Sequence, residues 1–281
     1  MKRYLPLLFV LLWSTGFIGA KLGLPHAAPL SFLLVRYLAV IALMTLLALA
    51  SRAPWPRDAR QRFHIGVSGV LVHGLYLGGV FVAISKGLPA GITSLVVGIQ
   101  PLLTAVGAGA LLGERVTRRQ WCGLALGFVG LWLVVSGKLG SAFGADALWP
   151  ALAALAGITF GTLYQKRFCP SFDLRTGAVL QFVPSAVLTG IAVLLFEDFR
   201  IEWVPPFVFA LSWLVLVLSL GAISLLNLLI RSGSAVNVAS LFYLTPVSTA
   251  AIAWLVFNET LSGLALAGMA LTVWGVYLSR R

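Results

Sequence analysis

Arg36, His73 and Gln181 lie deep inside long apolar runs of this chain. An ionisable or amide side chain in such a setting is costly, so each is a default candidate for function. A guanidinium at position 36 could hold a carboxylate through two parallel N–H donors. It could equally extend its stem along the helix and place its charge at the boundary, and this structural role is the reading taken for Arg36. Its place, about 9 Å along a helix from Pro29–Leu30, suits either. His73 sits near the middle of its run. An imidazole there is a hydrogen-bonded structural residue or part of a cavity wall, and it is the one obvious group that could carry a proton.

A wider set of neutral polar and aromatic residues shares these apolar runs: Trp13, Ser14, Thr15, Tyr76, Gln100, Tyr164, Gln165, Asn227, Asn237, Tyr243 and Thr245. Hydroxyls, amides and aromatic faces suit a neutral or zwitterionic solute with an apolar body. With His73 they are the expected substrate-binding residues. Pro101 and Pro246 remove a backbone donor inside apolar runs, so kinks that frame or gate a cavity are expected there. No Asp or Glu lies deep in any run. That disfavours a proton-coupled pump for organic cations, and facilitated transport is expected unless His73 couples to protons. A phosphate-rich solute would want several buried cations, and Arg36 alone is available.

The elements that must carry these residues are membrane helices. The chain of 281 residues is 60% hydrophobic and 10% charged, with a mean hydropathy of +1.00. Soluble domains carry about 25% charged residues. Ten apolar runs approach the roughly 20 residues needed to span a bilayer: 4–21, 30–50, 64–86, 91–112, 119–138, 147–165, 175–196, 206–229, 235–257 and 262–279. The first has the basic start and apolar core of a secretion signal, but nine further runs favour reading it as a span. The net charge of +12 sits in short clusters between runs, the pattern of membrane loops and not of a nucleic-acid surface. With a cytoplasmic N-terminus, fifteen of the twenty Lys and Arg residues fall inside and four (Lys21, Lys86, Lys138, Arg200) outside, with Arg36 within a span. The positive-inside rule therefore puts both termini in the cytoplasm. Cys122 and Cys169 suggest neither a disulfide nor a metal site, and no cofactor or catalytic cluster for a lipid-modifying enzyme is expected.

The chain also writes one element twice. "VVGIQPLLTAVGAGALLGE" at 96–114 and "LFYLTPVSTAAIAWLVFNE" at 241–259 share a register offset of 145. Pro101 meets Pro246, Thr104 meets Thr249, Glu114 meets Glu259, Gly123 meets Gly268 and Gly130 meets Gly275. Earlier, Gly16 meets Gly161 and Arg36 meets Gln181. Two halves, 1–140 and 141–281, each hold five spans. Five is odd, so the second half enters the membrane inverted, an arrangement common in alternating-access transporters. Glu114 and Glu259 close their spans and read as structural residues at the turn, with Thr117 and Ser262 as N-caps. Gly123-x-x-x-Gly127 gives the fifth span a small-residue face, expected to pack within the monomer.

The repeated Pro-x12-Glu element, the endings "GLALGFVGLWLV" and "GLALAGMALTVWGVYL", and the stretches "WSTGFIGAKLGL" and "RSGSAVNVASLFYLTPVSTAAIAWLVFNETLS" resemble the drug/metabolite transporter superfamily, EamA-domain family. The resemblance covers nearly the whole chain. It implies an all-α fold of ten transmembrane helices, with spans 1–4 and 6–9 around a central cavity and spans 5 and 10 to the side. It further implies an exporter of amino acids, aromatic ones included, or of similar metabolites, in a bacterial inner membrane. The expected partners are a small-molecule substrate and lipid, with the chain a monomer or weak dimer. A nucleoside, sugar or drug-like neutral solute is the alternative substrate.

Overall fold

The computed structural model describes residues 4–136, 144–169, 171–257 and 262–280. They form ten helical stretches: α1 Leu5–Gly23, α2 Pro29–Ala50, α3 Ala59–Ser85, α4 90–112, α5 Arg118–Ser136, α6 Ala145–Phe168, α7 Leu174–Phe196, α8 Pro205–Ser232, α9 235–257 and α10 Gly263–Ser279. Among the described residues, nine stretches are long and apolar enough to cross a membrane, and α10 is a shorter apolar helix. No strand occurs among them; a lone antiparallel bridge joins Ala27 to Ile201.

The polarity is that of a bundle in lipid. Leu194, Phe196 and Trp274 are exposed on the outside, while Ser14, Arg36, Gln165, Gln181 and Asn227 are buried within. With hydrocarbon outside, backbone groups must be satisfied inside helices, and the helix ends show how. Thr117 and Gln120 bond reciprocally at the start of α5: the Gln120 N–H donates to Thr117 Oγ1 (3.2 Å) and the Thr117 N–H to Gln120 Oε1 (2.9 Å). This is a capping box. Ser262 Oγ accepts the Ala265 N–H at the start of α10. Both caps are those expected from the sequence. Glu197, at the end of α7, accepts the N–H groups of Leu30 and Ser31 at 2.9 Å and so caps α2 from a distance.

Two pairs of helices are packed along their length, α2 on α7 and α5 on α10. Glycines set the second seam. A Cβ on Gly123 would fall 2.6 Å from the Gly275 carbonyl, and one on Gly275 would fall 2.6 Å from the Gly123 carbonyl. Gly130 and Gly268 block one another in the same way, at 2.7 and 2.6 Å. Such small residues let backbones touch where lipid gives no hydrophobic drive. The glycine face of α5 is therefore used within the chain. Around the middle, α3 packs on α6, α1 on α8 and α9, and α4 on α6.

Helical irregularities fall at related places. A π-helical stretch occupies Val70–Leu77 in α3 and another Leu214–Ala222 in α8. The α4 helix is interrupted at Gly98–Ile99, and α9 tightens to a 3-10 turn at Ser240–Tyr243. These two irregularities immediately precede Pro101 and Pro246, the prolines at which kinks are expected. Each proline lies in the first turn of a restarted helical segment, Gln100–Leu112 and Leu244–Phe257, where its missing N–H leaves no bond unmade.

Candidate functional site

A cavity opens between α1, α2, α3 and α8. Trp13, Gly16 and Ala20 line it from α1, Arg36 from α2, Tyr76, Val80 and Phe81 from α3, and Leu214 and Leu218 from α8. The Trp13 and Tyr76 rings are nearly parallel, 12° apart in plane, with centroids 6.3 Å apart. Phe242 meets Trp13 edge-on at 5.4 Å and holds it in place. The two π stretches supply Tyr76, Leu77, Leu214 and Leu218 to this wall. A π turn inserts a residue and rotates the following face, and such turns gather at functional sites.

Three residues of the wall, Trp13, Tyr76 and Arg36, are polar or amphipathic and nearly fully buried. The first two belong to the expected binding set. Arg36, expected in a structural role with its charge at the span boundary, is instead buried and lines the cavity. The Nε and Nη2 groups donate to Ser219 Oγ at 3.2 and 3.1 Å. The signal was present in the sequence as a lone charge deep in a span, with no acidic residue in any span to pair with it.

The remaining expected residues are distributed elsewhere in the bundle. Gln165 and Asn227 join Gln181 in a closed amide cluster. Gln165 Nε2 donates to Asn227 Oδ1 (2.9 Å), Asn227 Nδ2 to Gln181 Oε1 (3.3 Å), and Gln181 Nε2 to Gln165 Oε1 (3.2 Å) and Ser68 Oγ (3.1 Å). These amides satisfy one another, so the cluster ties α3, α6, α7 and α8 together. His73 lies beside it, its ring stacked on Phe182 at 4.1 Å and 9°, with the Tyr37 hydroxyl donating to its carbonyl. Neither ring nitrogen of His73 makes a hydrogen bond of ordinary length.

Ser14 and Thr245 meet in the α1–α9 seam, where Ser14 Oγ shares its proton between the Val10 carbonyl of its own helix at 2.6 Å and the Thr245 carbonyl at 3.2 Å. Thr15 faces α8 and accepts the Trp213 indole N–H at 2.9 Å. Gln100 is buried in α4 with no partner for its amide, and the Tyr243 hydroxyl is likewise unpartnered behind a ring packed against Gly127. Tyr164 and Asn237 sit toward helix ends. The Tyr164 hydroxyl bonds His64 at 2.6 Å beside Phe168, and Asn237 lies in the first turns of α9 near Gln120. Glu259 lies outside the described residues.

Outside the spans, Asp173 accepts from the Arg175 side chain at 2.7 and 3.0 Å and from the Arg175 N–H, which holds its carboxyl below the ordinary value. It caps α7 and stands apart from the cavity. Burial pushes the Cys169 thiol up to about 11, so it stays protonated at neutral pH. No group of three or more metal-ligating side chains forms among the described residues.

Comparison with known proteins fits this architecture. The uncharacterized transporter YvbV of Bacillus subtilis is 28% identical, over 96% of this chain and 88% of its own. A probable amino-acid metabolite efflux pump of Salmonella typhimurium is 26% identical, over 98% of this chain and 93% of its own. The uncharacterized inner membrane transporter YedA of Escherichia coli is 28% identical, over 99% and 91%. A crystal structure with 20% sequence identity superposes with a TM-score of 0.81, over 98% of this chain and 94% of that one, and shares the fold. The EamA-like transporter family matches twice, over residues 4–136 and 147–281. The chain therefore belongs to the EamA-like transporter family, as a multi-pass membrane transporter.

Proposed function

We propose that this chain exports small zwitterionic or neutral metabolites of the amino-acid class from a bacterial cytoplasm, by alternating access of two inverted five-span halves. The observation that carries this reading is the cavity within the bundle, walled by Trp13, Tyr76 and Arg36. A slot with two aromatic faces and one fixed polar head suits a solute with an apolar body and a polar end. Two relatives named as probable amino-acid metabolite efflux pumps, at 25–26% identity, lean the same way.

Several relationships support the inverted halves. The π stretches of α3 and α8 and the breaks of α4 and α9 fall at positions about 145 apart. The glycine seam has the reciprocal form of a two-fold contact: Gly123 and Gly268 are related by the offset, as are Gly130 and Gly275, and each touches the other's partner. The cavity uses Gly16, Ala20 and Arg36. The matching positions in the second half are Gly161, Gln165 and Gln181, and there the space is filled by packed amides. Related halves in unequal states are what alternating access requires. Both termini then lie in the cytoplasm by the distribution of Lys and Arg.

Counterflow in proteoliposomes tests the reading. Radiolabelled amino acids should exchange against internal unlabelled solute, and Trp13→Ala or Tyr76→Ala should lower the rate about tenfold or more. Uptake indifferent to both substitutions would move the solute site elsewhere. Exchange of nucleosides or sugars but not amino acids would replace the substrate class.

A further inference from the structure

The cavity carries a charge with no opposite. Arg36 is 3% exposed, and among the described residues no carboxylate pairs with it. All eight acidic residues of the chain fall between spans or at their ends. A guanidinium presents five N–H donors. Among the described residues, Ser219 Oγ is the one hydrogen-bond acceptor Arg36 is given, and it takes Nε and one edge of Nη2. Ser219 Oγ in turn donates to the Leu214 carbonyl five residues back, at 3.0 Å, a partner that the π stretch brings into reach. The serine is thus held from behind and aims the guanidinium, while the remaining donors are left for something in the cavity. Buried cations in membrane proteins are retained where they meet an anion.

A packing role does not account for this cation. The position related to Arg36 by the repeat is Gln181, a neutral amide whose donors and acceptor are taken by Ser68, Gln165 and Asn227. The bundle therefore fills the matching place without charge. The rest of the cavity wall is apolar or aromatic: Trp13, Tyr76, Phe81 and Leu218. It offers a cation but no carboxylate to receive an ammonium group.

We propose that Arg36 is the anion subsite of this cavity, taking the carboxylate of a small monocarboxylate, amino acids included, while Trp13 and Tyr76 hold the apolar body. This rests on the reading of the cavity as the solute site. Ser219 is a positioning residue, which acts through Arg36. The recognised group is the carboxylate, and the ammonium of an amino acid is dispensable.

The test uses the full chain in lipid nanodiscs and three probes of one shape: 3-phenylpropionate, its amide and phenethylamine. Binding is read by tryptophan fluorescence and by thermal shift. The native chain should bind 3-phenylpropionate at least about tenfold tighter than the amide or the amine. Arg36→Gln should erase that preference. Arg36→Lys should keep the sign of it with about tenfold weaker binding, since a point charge lacks the planar fork. Ser219→Ala should weaken carboxylate binding severalfold and leave binding of the amide unchanged. The comparison of probes on the native chain stands whether or not the Arg36 variants fold. Equal binding of acid and amide, no binding of the acid, or a preference that survives Arg36→Gln overturns the proposal. Counterflow separates the two levels. Carboxylate-selective binding with no exchange of any solute would sink the transport reading and leave the subsite. Exchange with no carboxylate preference would do the reverse.

Discussion

Glu114, at the end of α4, accepts the backbone N–H of Ala235, the first residue of α9, with both carboxylate oxygens at 3.1 Å. The bond joins residues 121 positions apart. It places an anion at the start of a helix whose Ser234 also caps the Asn237 N–H, where unpaired N–H groups and the helix dipole favour negative charge. A residue expected to fix its own turn thus braces a helix of the other half. Glu114→Ala should lower unfolding stability by about 1–2 kcal/mol, with Glu114→Gln losing less. Thermal unfolding in detergent reads the loss, and the pH profile of transport should keep its shape. A shifted pH profile at unchanged stability would give Glu114 a role in proton movement instead.

The glycine seam makes a sharper demand. Gly130 and Gly268 leave no room for a Cβ on either helix, since the atoms in the way include backbone that cannot rotate aside: the Thr272 nitrogen and Gly268 carbonyl for Gly130, the Gly130 carbonyl and Val134 nitrogen for Gly268. Gly130→Ala or Gly268→Ala should force α5 and α10 apart and cost about 1–3 kcal/mol. Gly263, on the same helix as Gly268, meets nothing within 4 Å. Gly263→Ala should be neutral or slightly stabilising, because alanine is the better helix former. Size-exclusion profiles after graded heating distinguish these outcomes. Equal tolerance at positions 130 and 263 would remove the seam from the account of stability.

Nine of the ten spans, the two N-caps and the glycine face of α5 were legible in the sequence because each depends on local pattern: run length, a Thr or Ser ahead of an apolar run, small residues spaced along one face. The cavity wall was less so. Polarity reports that Gln165, Asn227, Tyr76 and Trp13 are unsuited to lipid, but not which inner surface each faces. That is set by the rotation of each helix against its neighbours, and the π stretches at Val70–Leu77 and Leu214–Ala222 change that rotation partway along. Gln165 and Asn227 found partners in Gln181 and in each other, and so left the wall. Arg36 had no acidic residue in reach and stayed on it. An arginine within a span commonly snorkels to the boundary; here Ser219, 183 positions away, holds it at the cavity.

The last prediction concerns two seams related by the repeat. In the α1–α9 seam, Ser14 Oγ donates to the Thr245 carbonyl at 3.2 Å and Thr249 Oγ1 to the Ser14 carbonyl at 3.3 Å. The positions 145 away are Thr159, Gln100 and Thr104, on α6 and α4, and their side-chain polar atoms are buried without a partner. The two helices do meet, for a Cβ on Gly107 would lie 2.5 Å from Leu163 Cδ1. The α1–α9 seam is thus bonded except at the buried Thr245 hydroxyl, while its counterpart holds three residues with orphaned groups, each of which costs about 1–3 kcal/mol when desolvated. If the halves exchange roles during transport, the orphaned groups find partners in the other state. Thr104→Val with Thr159→Val removes two orphans at nearly constant volume. It should stabilise the present conformation by about 1 kcal/mol or more and slow exchange. Ser14→Ala with Thr249→Val should do the opposite, by about 0.5–1 kcal/mol. A Leu77→Cys probe, half-buried on the cavity wall, in a chain with Cys122 and Cys169 replaced by Ser, reads the balance by its labelling rate. The rate should rise with the first pair and fall with the second. Shifts of the same sign in both, or in neither, would make the unequal seams a matter of packing and detach them from alternating access.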